Sequence, residues 1–199
     1  GKTYPSIDIF YNISLRLGVT IDYFFKSTEI ERNYYISGTI DLIERFLSNK
    51  QYQEIYEITS SEMKKTFFKS LPIKYTHFIK WNNCRAAQNI GIITWEESIE
   101  RLEDLLITIN TQELLSQKLQ IKNVIGNIYQ ENGQLDKACD IYKEVLKYDV
   151  YTYEFNKLKL KIYSNLARLY FLRKEYKNSI KIAEEGIKLS KNIGDMTIL

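Results

Sequence analysis

The feature that most restricts the fold of this chain is a turn-and-helix pattern that recurs about every 40 residues. It occurs in the segments NKQYQEIYEI, GIITWEESIERL, ENGQLDKACDIY and LRKEYKNSIKIA. In each segment an aromatic or leucine residue follows a polar turn, and a small or apolar residue comes three positions later. These later residues are Ile55, Ser98, Ala138 and Ser179, which are 43, 40 and 41 residues apart. Helical patterns before and after each turn predict a stack of helical hairpins.

The composition also favours an all-α fold. The 199 residues include only 8 glycines and 2 prolines, whereas all-β folds need such residues at frequent turns. No apolar run approaches the roughly 20 residues that cross a bilayer, so we expect no membrane segment. Thr94 and Glu97 form a predicted capping box at the start of a helix. The predicted turns lie near Asn49–Gln51, Ile93–Thr94, Gly133 and Arg173–Glu175.

The third unit, VIGNIYQENGQLDKACDIYKEVL, resembles a tetratricopeptide repeat, and the fourth unit repeats the pattern. Gly126 and Ala167 are small, so they are expected to let the two helices of a hairpin approach closely, with Ala138 and Ser179 on the partner helices. The period is longer than the usual ~34 residues, so the connections between units must be longer too. The resemblance implies a right-handed superhelix whose concave inner wall is lined by the first helix of each unit.

Polar side chains recur at helical spacing on these first helices. The three stripes, each at positions i, i+4 and i+7, are Trp81, Arg85 and Gln88; Asn123, Asn127 and Gln130; and Lys161, Asn165 and Arg168. An asparagine amide can donate to and accept from a peptide backbone, and lysine or arginine would attract a carboxylate. The stripes therefore predict an inner wall that binds an extended peptide. The alternative interpretation is that they are solvated helix faces.

The opening GKTYPSIDIFYNISLRLGVTIDYFF contains two short helical patterns. Pro5–Ser6 is typical of a helix start, Gly18 of its end, and Thr20 with Asp22 of a second start. The stretch resembles the last two helices of a five-helix Cro/repressor-type DNA-binding domain. Followed by ERNYYISGTIDLIERFLSNKQYQEIY and the repeats, it makes the whole chain resemble the PlcR-like regulators of the Rap–Rgg–NprR–PlcR–PrgX group.

This resemblance implies a cytoplasmic, quorum-sensing transcription regulator. Its repeat domain would bind a short imported signalling peptide and form a homodimer, and its helix-turn-helix domain would bind DNA. We assign residues 1–26 to the remnant of the DNA-binding domain and residues 27–199 to the repeat domain. We expect the chain to begin after the recognition helix and to stop before the last repeats. Residues 1–199 alone are then expected to bind DNA only weakly and in a salt-sensitive way.

In the group that the chain resembles, asparagines on the inner helices hold the peptide, and Asn123 and Asn165 fall at the matching places. Lys50 matches a basic residue near the pocket. Phe25 and Ser48 stand where a relative would carry tyrosine and lysine. The two polar contacts that those side chains would make with a peptide are therefore not expected to be the same in this chain. The complete set of expected peptide-binding residues is Phe25, Lys50, Arg85, Gln88, Asn123, Asn127, Lys161, Asn165 and Arg168.

The residues offer little support for an enzyme. His77 is the only histidine, and Cys84 and Cys139 are distant from each other, so we expect reduced core thiols, no metal site and no cofactor. The net charge of +3 is too small to indicate a nucleic-acid binder by itself. Two alternatives remain: a tetratricopeptide adaptor that binds a protein tail, and a Rap-like phosphatase of response regulators. The opening stretch argues against the phosphatase, because it resembles part of a DNA-binding domain.

Overall fold

The computed structural model describes residues 6–18, 21–109, 111–148 and 152–194. These ranges contain helices and no strand, which confirms the all-α prediction. Short 3-10 helices at Phe68–Ser70 and Gln112–Leu114 precede α4 and α6. None of the described helices is both long and apolar enough to cross a membrane. The α-helices are α1 (Ile7–Leu17), α2 (Ile21–Ser48), α3 (Tyr52–Lys64), α4 (Ile73–Asn89), α5 (Trp95–Ile107), α6 (Leu115–Glu131), α7 (Leu135–Leu146), α8 (Tyr153–Leu172) and α9 (Tyr176–Ile193).

The chain forms two compact units, residues 1–51 and 52–199. In the first unit α1 follows Ser6 and ends at Gly18, whose φ of 65° suits glycine, as the sequence predicts. Thr20, the expected start of the second helix, lies outside the described residues. Helix α2 is continuous for 28 residues and passes position 26 without a break. The division into domains at position 26 stays a prediction.

In the second unit α4–α5, α6–α7 and α8–α9 form three hairpins, and α3 packs against α4. The connection inside each hairpin is short, so its two helices run antiparallel. The first helices also pack on one another, α4 against α6 and α6 against α8. They therefore form the continuous inner row that a tetratricopeptide-like stack requires.

The same backbone hydrogen bond closes the turn after α2, α4, α6 and α8. In each case an amide donates to the carbonyl five residues earlier, at 2.8–2.9 Å, and one turn residue has a left-handed φ of 55–75°. The four turns lie where the repeat pattern predicts them. The left-handed residues are Lys50, Gly91, Gly133 and Lys174, and the amide–carbonyl pairs are Gln51–Phe46, Ile92–Ala87, Gln134–Tyr129 and Glu175–Tyr170.

The predicted capping box at α5 is half formed. The side chain of Thr94 accepts a hydrogen bond from the backbone amide of Glu97 at 3.2 Å, so the cap is confirmed. The Glu97 carboxylate instead accepts from Nη2 of Arg101 at 2.6 Å. An i,i+4 ion pair one turn further along the helix thus uses the carboxylate that would have closed the box.

Two apolar clusters form the core of the second unit. One joins α4, α5 and α6 around Trp81, Leu102 and Ile125, and the other joins α6, α7 and α8 around Tyr142 and Phe155. Trp81 therefore belongs to the core rather than to a polar stripe. Both cysteines are buried free thiols, as expected.

Small residues occupy the helix contacts within each hairpin. Ser179 donates to the carbonyl oxygen of Ala167 at 2.8 Å, and the thiol of Cys84 lies 3.3 Å from the hydroxyl of Ser98. At Gly126 an added Cβ would lie 2.6 Å from Cε1 of Tyr142, a ring that is completely buried. The α6–α7 contact therefore requires glycine at position 126.

Replacing Gly126 by alanine is expected to destabilise the protein by about 1–2 kcal/mol, because overpacking outweighs the better helix propensity of alanine. The measurement is urea unfolding followed by circular dichroism. Gly38→Ala is the matched control, since Gly38 lies within α2 and a Cβ there meets nothing within 4 Å. This control should gain roughly 0.5–1 kcal/mol. Equal stabilisation by both alanines would contradict the close approach at Gly126.

Candidate functional site: a polar groove between α6 and α8

A groove of about 360 Å³ lies between the first helices of the last two hairpins. Its lining is mostly polar, and it includes three residues of the expected peptide-binding set: Asn127, Asn165 and Arg168. The groove is lined by Asn127, Gln130, Glu131, Asn165, Arg168 and Leu172. The structure thus brings two residues of the α6 stripe, Asn127 and Gln130, and two of the α8 stripe, Asn165 and Arg168, together in one groove.

Hydrogen bonds connect the two helices across the groove. Nδ2 of Asn165 donates to Oδ1 of Asn127 at 2.8 Å, and the Tyr142 hydroxyl donates to the same oxygen at 2.7 Å. The hydroxyl also lies 3.0 Å from Oε1 of Gln130, so its single hydrogen has two alternative acceptors. The side chains of three successive helices, α6, α7 and α8, therefore share one network.

Tyr142 comes from α7, behind the inner row of helices. Its ring is fully buried and crosses α6 at Gly126, so that only its hydroxyl reaches the polar residues of the groove. Burial raises the pKa of Tyr142 far above its ordinary value, and the Glu131 carboxylate adds to this, while Arg168 acts in the opposite direction. The hydroxyl therefore keeps its hydrogen throughout the physiological pH range.

The charged residues of the site differ in how they are paired. Arg168 and Lys161 are exposed on the same face of α8, and neither has an ion pair with a described residue. Arg173, directly after the end of α8, is paired with Asp136 and Glu175 at 3.0 and 2.9 Å. An anionic ligand group would therefore find an available cation at Arg168, which lines the groove, and a second at Lys161 on the same face of α8.

Asn123 lies one turn before Asn127 on α6, and it does not line the groove. Its side chain is 9% exposed, and its Oδ1 is buried with no hydrogen-bond partner. Gln88 on α4 has a buried Oε1 in the same condition. An unpaired buried oxygen costs free energy, so a donor that reached either atom would gain a hydrogen bond.

The other expected residues are more dispersed. The Arg85 guanidinium lies over the ring of Tyr52, 5.9 Å from its centroid. Lys50 is exposed in the first unit, in the turn after α2. The side chain of Phe25 lies outside the described residues. The expectation that these three residues bind peptide stays a prediction.

His77 is buried in α4, where its Nε2 lies 3.1 Å from the Thr108 hydroxyl. Burial lowers its pKa, and Lys80 lowers it further. This position is that of a packed core histidine.

Sequence reasoning gave no role in the site to Tyr142, Glu131 or Leu172. A signal for Tyr142 was present, since Gly126 predicts a close helix contact and Tyr142 belongs to the facing repeat position. A tyrosine there, unlike a phenylalanine, carries a hydroxyl through to the inner wall. No comparable pattern marks the other two residues. Glu131 follows Gln130 of the α6 stripe by one residue, and Leu172 follows Arg168 of the α8 stripe by four.

Comparison with known proteins identifies the family of the chain. Residues 41–199 match the model of the RNPP family C-terminal domain, which is most of the chain. The chain belongs to the RNPP family. None of the curated proteins matches it.

Two solved structures of PlcR from Bacillus thuringiensis resemble the chain over its whole length. The apo form is 27% identical, with a TM-score of 0.82, over 100% of this chain and 72% of that one. The complex with the peptide PapR7 and DNA is 28% identical, with a TM-score of 0.70, over 98% of this chain and 68% of that one. The family and these matches support a PlcR-like regulator with tetratricopeptide-like repeats.

A putative kinesin light chain from Podosopora anserina with TPR-like repeats is also similar. It is 21% identical, with a TM-score of 0.54, over 79% of this chain and 76% of that one. At this identity the likeness concerns the fold alone.

Proposed function

We propose that this chain senses a short signalling peptide in the groove between α6 and α8 and thereby controls DNA binding by a transcription regulator. The observation that carries the proposal is the pair of amide side chains, Asn127 and Asn165, held 2.8 Å apart in the groove of an RNPP-family chain. Peptide and DNA are bound by the related PlcR, and the proposal transfers both partners to this protein.

An extended peptide fits the chemistry of this groove. It offers N–H and C=O groups that pair with amides whatever its sequence is. Arg168 and Lys161 would attract the terminal carboxylate or an acidic side chain of the peptide. A protein with this function is cytoplasmic and homodimeric, and its complete helix-turn-helix domain reads a palindromic DNA site.

The test uses the full-length protein and a library of random heptapeptides with free termini. We expect selection on the immobilised protein to enrich a family of related sequences, and calorimetry to give a Kd of about 10 μM or tighter for the best of them. Adding that peptide should change the mobility of the protein–DNA complex. The proposal is wrong if no heptapeptide binds, or if binding is unaffected by substitutions at Asn127 and Asn165.

A further inference from the structure

The side-chain oxygen of Asn127 is the acceptor on which two donors converge. It accepts from Nδ2 of Asn165 at 2.8 Å and from the Tyr142 hydroxyl at 2.7 Å, and the same hydroxyl has Oε1 of Gln130 as its alternative acceptor at 3.0 Å. Two donors on different helices therefore hold the amide of Asn127 in one orientation. Its Nδ2 and the Oδ1 of Asn165 make no hydrogen bond with any described residue.

The position of Tyr142 leaves its hydroxyl little freedom. The ring is fully buried between α6 and α7, and it passes so close to Gly126 that a Cβ would collide with it. The hydroxyl thus approaches the groove from behind, through the gap that the glycine leaves. A side chain in such a position can orient the groove residues without touching a ligand.

We propose that Tyr142 is a positioning residue that fixes the Asn127 amide, so that Nδ2 of Asn127 and Oδ1 of Asn165 together bind one residue of an extended peptide. The N–H and C=O of one residue in an extended strand point to the same side, as they do in a β-ladder. Asn127 would donate to that C=O, and Asn165 would accept from that N–H. This inference rests on the proposed function.

The first test is calorimetric titration of the selected heptapeptide into Tyr142→Phe. The affinity is expected to fall roughly five- to thirtyfold, because a freed Asn127 amide no longer presents its donor. Tyr129→Phe is the matched control, since Tyr129 lies on α6 against Trp95 and outside the groove lining. Its affinity should stay within about twofold of wild type. Equal losses in the two variants would overturn the inference.

A double-mutant cycle separates positioning from general stability. In an Asn127→Ala background Tyr142→Phe should change the affinity by less than about twofold, because the amide that it orients is gone. The same loss in both backgrounds would mean that Tyr142 acts through the fold rather than through Asn127.

Methylation of single backbone nitrogens of the peptide tests the assigned contact directly. In wild type one N-methyl position should cost about tenfold or more, because it removes the N–H that Asn165 accepts. In Tyr142→Phe the cost at that position should shrink to about threefold or less. A purely structural role would lower all affinities and leave this pattern unchanged.

The orientation is also measurable without any peptide. In nuclear magnetic resonance spectra Tyr142→Phe should shift the side-chain amide signals of Asn127 and Asn165, while those of Asn123 stay in place. Unchanged Asn127 signals would overturn the inference.

If these signals shift but no heptapeptide binds wild type, the proposed function fails while the orienting contact stands. If wild type binds and the N-methyl pattern is the same in Tyr142→Phe, only the inference fails.

Discussion

Alanine in place of Asn165 is expected to weaken peptide binding by the full-length protein roughly ten- to hundredfold. Its amide would lose the hydrogen bond to the peptide, and a buried peptide group left without a partner costs about 1–3 kcal/mol. The substitution also removes the donor that holds Oδ1 of Asn127 at 2.8 Å. Both amides of the groove are therefore disturbed by one change, which places this loss among the largest that we expect on binding.

Asn123→Ala is expected to give a loss in the same range, for a different reason. The buried Oδ1 of Asn123 has no partner in the free protein, so a peptide donor that reaches it would gain a hydrogen bond. Removing an unpaired polar group should not lower the stability of the free protein. Calorimetric titration and thermal melting of wild type and both variants provide the measurement. Unchanged affinity in both variants, with unchanged melting temperatures, would place the peptide site elsewhere and leave an adaptor for a protein tail equally supported.

Charge substitutions should show a different signature in the same titrations. Arg168→Ala, Lys161→Ala and Lys50→Ala are expected to weaken binding at low salt, and the effect should fade as salt is added, since exposed charges are screened. Losses from the asparagine variants should persist at high salt. Lys188→Ala serves as the control, because Lys188 is exposed on α9 and belongs neither to the groove lining nor to the expected peptide-binding set.

The fold could be predicted from the sequence because the residues that determine each turn and each helix contact lie close together along the chain. Each turn is marked by its own residues, and the same hydrogen bond, such as that from Gln134 to Tyr129, recurs in four turns. Gly126, Ala167 and Ser179 indicate close helix contacts without any knowledge of the partner residue. The turn positions and the pairing of helices follow directly from this periodic pattern.

The site could be predicted only in part, because helical spacing does not fix how a helix is rotated. Trp81 has the spacing of an inner-wall residue, yet its large ring is buried in the apolar cluster with Ile121 and Ile125. Asn123 shares a stripe with Asn127, but it turns far enough from the groove to be buried. The contribution of Tyr142 comes from another helix, so no stripe on α6 or α8 contains it.

Phe155→Ala is expected to have the largest effect on stability, a loss of about 3–5 kcal/mol in the free energy of unfolding. The Phe155 ring is completely buried in the second apolar cluster, where α8 meets α6 and α7. Its backbone amide donates to the Thr152 side chain at 3.2 Å. The first turn of α8 is therefore held both by this helix cap and by the packing of the Phe155 ring. The substitution therefore leaves a cavity between the repeats. We expect this cavity to stay open, because the cap holds the start of α8 in place.

Tyr153→Ala is the matched control, since this tyrosine lies in the same turn and is 53% exposed. Its loss should stay below about 1 kcal/mol, because the ring is largely exposed and an exposed cation–π contact such as that with Lys157 contributes little. Urea unfolding followed by circular dichroism measures both variants, and hydrogen exchange locates the change. Because each repeat is stabilised by its neighbours, lost protection should extend from α8 into α6, α7 and α9. A loss confined to the first turn of α8, or one below about 1 kcal/mol, would mean that this ring does not hold the two hairpins together.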